Sequence, residues 1–86
     1  MDEPTFRWFR ARTLGALGTA LSEVRRDSGF AQEQAGRLTG TSRPTISRME
    51  RGRPGPSGVV VDLLTACGYE LVVVPRGARV TVEPRS

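Results

Sequence analysis

AQEQAGRLTGTSRPTISRMERG, residues Ala31 to Gly52, is the stretch on which the reading of this chain turns. It divides into two short helical runs around a tight turn. The first runs from about Ala31 to Leu38. Gly40 follows it and is placed to take the left-handed conformation that closes a helix. Ser42 is placed to cap the second run, with Arg43 as its first residue. Pro44 falls in the first turn, where a missing amide hydrogen leaves no bond unmade. Thr45 stands where a capping box has Glu or Gln, so that box is absent. Helical periodicity turns Ile46 and Met49 inward and Arg43, Thr45, Ser47 and Arg48 outward. The run ends near Arg51, and Gly52 stops it.

A stiff helix with an apolar inner face and a polar outer one, held at a fixed angle by a tight turn, suits the major groove of DNA. Arg43, at the helix start, matches a guanine O6 and N7 pair. Thr45 can offer a methyl to thymine or a hydroxyl to phosphate, and Ser47 and Arg48 can meet base or backbone. Gln32 begins the preceding helix, where its amide and the free main-chain amides can position a phosphate. Arg51 and Arg53 extend the basic surface toward the flanking backbone. The expected DNA-binding set is Gln32, Ser42, Arg43, Pro44, Thr45, Ser47, Arg48, Arg51 and Arg53. Each has an ordinary explanation when taken alone: a solvated arginine, a helix cap, a first-turn glutamine. Glu50 would repel phosphate and is expected in a salt bridge or a helix-end hydrogen bond.

Upstream, Thr13 can cap a helix in which Leu14, Leu17, Leu21 and Val24 recur at spacings of three, four and three. Arg12, Glu23, Arg25, Arg26 and Asp27 carry its charge, Gly29 ends it, and Phe30 is placed to staple it to the next helix. The lead-in, residues 1–12, holds Phe6, Trp8 and Phe9, which either pack back on the body, join an interface, or leave one docked ring on a frayed end. Downstream, the RPGPSG turn precedes a helix that Ser57 can cap. Val59, Val60, Leu63, Leu64 and Cys67 form its buried side, with Asp62 and Thr65 outside, although three consecutive valines weaken the helical reading. Gly68 closes it. Tyr69 to Val74, YELVVV, predicts a strand broken by Pro75 and Gly77, and Ala78 to Val82 a weaker second one. The division expected is a lead-in over 1–12, a helical domain over 13–68, dimerisation strands over 69–82 and a mobile tail over 83–86.

At 86 residues the chain is one domain, near the size at which a single core barely suffices. Thirteen Lys+Arg against nine Asp+Glu leave a net charge of +4, and every basic residue is Arg. Arg grips phosphate and guanine bidentately, although a GC-biased genome also produces all-Arg usage. The single cysteine and the lack of histidine argue against a disulfide framework and a zinc site, and no cofactor is expected. With no His and only scattered carboxylates, an enzyme is not expected. Neither a membrane-spanning run nor a basic leader with an apolar segment is present, which makes the cytoplasm the expected location.

A lone six-residue strand leaves a row of unpaired backbone groups that attracts another strand. Ala78–Val82 can fold back as a hairpin, or the Tyr69–Val74 strands of two copies can pair about a two-fold axis, or both. Tyr69, Leu71, Val72, Val73 and Val74 are the expected dimerisation residues. Two-fold pairing sets two recognition helices roughly 34 Å apart, one turn of DNA.

Leu17 to Gly52 resembles the Cro/repressor-like (XRE-type) helix-turn-helix family, in ALSEVRRDSGFAQEQAG, the turn Gly40 and TSRPTISRMERG. Two positions depart from it: Ala35 stands where the family has Leu, and Gly36 where it has an Ala packed on the next helix. Gly in a helix interior costs about 1 kcal/mol relative to Ala, and Leu38 is placed to swing inward in compensation. With LLTACGYELVVVPRG the chain is similar to the HipB-like antitoxins over Leu14 to Gly77. That resemblance implies a mostly α fold, a four- to five-helix repressor-like DNA-binding domain with a C-terminal β-strand or hairpin that pairs in a dimer. It also implies a homodimer on a palindromic operator, and a HipA-like serine/threonine kinase toxin held inactive while the complex represses its own operon. The alternatives are a stand-alone phage-type or metabolic regulator, and a protein-interaction adaptor that does not read DNA.

Overall fold

The computed structural model describes residues 7–83. It contains four helices: α1 (Leu14–Asp27), α2 (Gln32–Thr39), α3 (Arg43–Glu50) and α4 (Ser57–Ala66). Phe6 and the last three residues of the expected mobile tail lie outside the described residues.

Local chemistry sets the helix ends. Thr13 Oγ1 accepts the Ala16 amide at 3.0 Å and starts α1. Ala31 precedes α2, and Gln34 Oε1 accepts the Ala31 amide at 2.8 Å. Gly40 ends α2 at φ 70°, in the left-handed region, and the Thr41 amide bonds to Gly36 O at 2.8 Å. Ser57 is the first residue of α4 and not its cap; Pro56 holds the cap position without a side-chain bond. The Val59 amide bonds to Pro56 O at 3.1 Å instead, so the third-position donor is satisfied without a hydroxyl cap.

α1 and α2 each pack against both α3 and α4. Leu21, Val24, Ala35, Ile46, Met49, Val59, Val60, Leu63 and Leu64 form the core between them, with Leu17, Phe9, Cys67 and Tyr69 packed at its margin. Two apolar positions depart from expectation. Leu14 is 50% exposed, because it opens the first turn of α1 at the margin of the fold, where it lines a groove beside α4 and not the core. Leu38 is 53% exposed and does not swing inward. It has no void to fill, because the backbone of the following turn already lies against Gly36: a Cβ there would sit 2.7 Å from Thr41 O. Glycine at this position is therefore a requirement of the close approach, not a gap in the packing.

The expected C-terminal hairpin does not form. Among the described residues there is no strand. After Tyr69 the described backbone makes one hydrogen bond to other backbone, Ala78 N to Pro75 O at 3.1 Å, closing a turn over Arg76 and Gly77. Ala78–Val82 does not return to pair with Tyr69–Val74, and among the described residues the six-residue run has nothing to form a ladder with.

Candidate nucleic-acid interface

α3 is held from beneath and from its end. Ile46 is 1% and Met49 5% exposed, and they anchor its inner side. At its C-terminal end, Glu50 forms a two-pronged ion pair with Arg25 of α1, whose Nη2 donates to Oε1 at 2.9 Å and whose Nε donates to Oε2 at 2.5 Å. Arg25 Nη1 also donates to Phe30 O at 2.7 Å, and Gln32 Nε2 of α2 donates to Glu50 Oε1 at 3.0 Å. One carboxylate thus ties three helices together. Its surroundings are nearly dry, with 9% of the Arg25 side chain and 6% of that of Glu50 exposed. Burial pushes the Glu50 carboxyl up, but the hydrogen bonds from Arg25 and Gln32 outweigh it and hold the group below its ordinary value. The same pair raises Arg25 further above its already high value.

The outer side of α3 carries the residues expected to meet DNA. Arg43, Pro44 and Arg48 are exposed, and Thr45 and Ser47 half-buried. On the helical wheel Pro44 falls between Arg43 and Arg48, and it has no amide hydrogen to offer. Ser42 caps the helix by accepting the Thr45 amide at 3.3 Å. Its Oγ lies 3.1 Å from Thr45 Oγ1. The Thr45 hydroxyl is therefore engaged locally, which leaves its methyl as the group more readily offered to a base. Arg48, Arg51 and Arg53 surround a shallow basin of about 400 Å³ just past the end of α3. Among the described residues no carboxylate pairs with Arg43, Arg48, Arg51 or Arg53. Gln32 differs from its expectation: it is half-buried, and one of its two amide hydrogens is committed to Glu50. Its main role in the free protein is to fix α2 to the end of α3.

Arg25 was not legible as part of this arrangement. The signal lies four residues after Leu21, on the buried side of α1, where a charged residue requires a partner. Glu50, already an unlikely neighbour for phosphate, was the natural candidate.

The dimerisation residues are not gathered into an element. Leu71, Val72, Val73 and Val74 are exposed, whereas Tyr69 is half-buried at the edge of the core. Leu71 borders an apolar groove of about 260 Å³ with Leu14, Leu17, Val60 and Val61.

The pattern that defines helix-turn-helix domains matches residues 16–76, from α1 to the turn beyond the valine run. The chain belongs to the helix-turn-helix domain family. It carries a DNA-binding helix-turn-helix domain in which α2 and α3 are the paired helices and α3 has the position of the recognition helix. No curated protein matches the chain. Among solved structures, this helix-turn-helix protein is similar to the clp gene regulator ClgR from Corynebacterium glutamicum, with 29% identity and a TM-score of 0.62. The similarity covers 66% of this chain and 62% of that one, so the match spans less than two thirds of the ClgR chain.

Proposed function

We propose that this protein is a sequence-specific transcriptional regulator that binds double-stranded DNA through α3 and represses from a palindromic operator as a homodimer. The observation that carries this reading is the outer face of α3, where exposed Arg43 and Arg48 stand without carboxylate partners among the described residues, on a helix locked by the Arg25–Glu50–Gln32 network. A locked helix loses little freedom on docking, so binding free energy goes into contacts. Arg48, Arg51 and Arg53 supply the backbone grip, and Arg43 the base reading. Its likeness to a protein named as a gene regulator supports the regulatory role. The reading is non-catalytic, without a cofactor, and places the protein in the cytoplasm on chromosomal DNA.

Homodimer formation through Tyr69, Leu71, Val72, Val73 and Val74 belongs to the same proposal. Four exposed aliphatic residues in succession, unpaired in the single chain, support it. Two finer readings divide here. A stand-alone regulator is favoured by the likeness to ClgR. An antitoxin of a type II pair, neutralising a HipA-like kinase, is favoured by the valine run directly after α4. A kinase-like reading frame beside this gene, and a kinase retained on the purified protein, would select the second.

Selection of bound duplexes from a random pool tests the common part. The expected outcome is convergence on two inverted half-sites about one helical turn apart. Recovery of unrelated sequences would remove sequence-specific reading.

A further inference from the structure

Residues 7–12 precede the matched region, and they are tied to the segment that follows α4 at two places. The Phe9 ring lies 6.4 Å from that of Tyr69 at a tilt of 50°. Arg10 Nη2 donates to Ala78 O in a long bond of 3.4 Å. On its other side this N-terminal arm is tied to α1, where Arg7 Nη1 lies 3.1 Å from Glu23 Oε2 and 2.7 Å from Asp27 Oδ2. Two same-side pairs, Arg7 over Phe9 at 5.0 Å and Arg10 over Trp8 at 5.9 Å, recur at a spacing of two residues. That is the period of an extended chain. Phe9 turns to the core, and Trp8, its neighbour, is 46% exposed. Between the tied points Tyr69 and Ala78 lies Leu71–Val74, exposed and without backbone hydrogen bonds.

We propose that the arm is a clasp that holds the C-terminal segment against α1 and so readies it for pairing with a second copy of this chain. The inference rests on the strand-pairing reading above. Ordering a free segment costs conformational entropy for every residue fixed. A segment already held near both ends has lost part of that freedom before its partner arrives, so pairing is tighter. A second copy is the fitting occupant, because a two-fold axis lets the same run supply both strands and pair the facing row of amides and carbonyls on each. The arm is thereby a positioning element for assembly.

The test compares full-length protein with the double variant Phe9→Ala/Arg10→Ala by sedimentation equilibrium, with emission from Trp8, the only tryptophan, as a second readout. The expected result is a dimeric parent and a variant of unchanged helical circular dichroism whose dimer dissociates about tenfold more readily. Arg12→Ala, a change in the same arm but at a residue that makes neither contact, should leave dissociation unchanged. If the double variant loses helical signal, Arg7→Gln replaces it; this frees the arm from α1 and should weaken the dimer in the same direction. A dimeric parent with variants equally tight overturns the clasp alone. A parent that stays monomeric at every concentration overturns the pairing reading, and the clasp with it.

Discussion

Ile46 and Val73 are both β-branched aliphatic residues in short runs, yet one is 1% exposed and the other 92%. Ile46 sits in α3, whose backbone bonds close within the helix and whose apolar side meets α1 and α2. Val73 sits in a run whose backbone groups have no backbone partner among the described residues. A helix of eight residues needs only neighbours for its side chains. A strand of six needs neighbours for its main chain as well, and this chain holds none in place. The helical body is therefore complete in one copy, whereas the flanking segment acquires its meaning from something outside that copy.

The largest effect expected is on the body. Arg25→Ala leaves the Glu50 carboxylate buried with only the neutral partners Gln32 and Ser22, and removing one member of a buried pair costs about 3–5 kcal/mol. Urea denaturation should show it as a large fall in midpoint. A loss of a few tenths would mean that water reaches Glu50 freely and that α3 is held by its apolar side alone.

The same pair gives the body a pH dependence. Glu50 is held below its ordinary value in the folded protein, so over that window the unfolded chain binds more protons. Its stabilisation is fully present above the ordinary carboxylate value and is lost as pH falls through the depressed one. In Arg25→Ala burial dominates and raises the carboxyl, so acidification across the carboxylate range should stabilise the variant. Thermal melts of both proteins from neutral to acidic pH measure the two slopes; parallel curves would sever the link to Glu50.

Gly36→Ala should cost about 1–3 kcal/mol through overpacking against the main chain of the turn. Alanine gains about 1 kcal/mol of helix propensity over glycine, so a net stabilisation would show that the turn yields and that α2 and α3 are not fixed by this contact.

The smallest effect on folding, with a large one on assembly, is expected for Val73→Pro. Proline removes a ladder donor, but in the single chain the Val73 amide bonds to nothing described. Circular dichroism should be unchanged and light scattering should report monomers. A dimeric variant would move the interface elsewhere, with α4 or the surroundings of Trp8 as the next places to look.

The body was largely readable because its signals are local. Ser42 as cap, Gly40 at positive φ, the inward Ile46 and Met49 and the buried row on α4 all follow from spacing within one helix. The failures involve distance along the chain. Arg25 needs Glu50, twenty-five residues away. Gly36 is explained by a backbone carbonyl of the next turn, and Leu14 and Leu38 keep the helical period of buried residues but lie outside the core. The valine run has strong strand chemistry, but its pairing cannot be supplied by propensity. In the site, Arg43 and Arg48 stand on the expected face, whereas Gln32 proved to be partly spoken for by Glu50.

The central claim is that α3 reads sequence, and it is tested most directly by titrating Arg43→Ala against the selected operator and a scrambled duplex at one salt concentration. The expected result is a loss of about 1–3 kcal/mol on the operator, relaxed preference at one base position in each half-site, and a much smaller loss on the scrambled duplex. An equal loss on both would make Arg43 a phosphate contact, and no loss on either would remove the α3 N-terminus from the DNA interface.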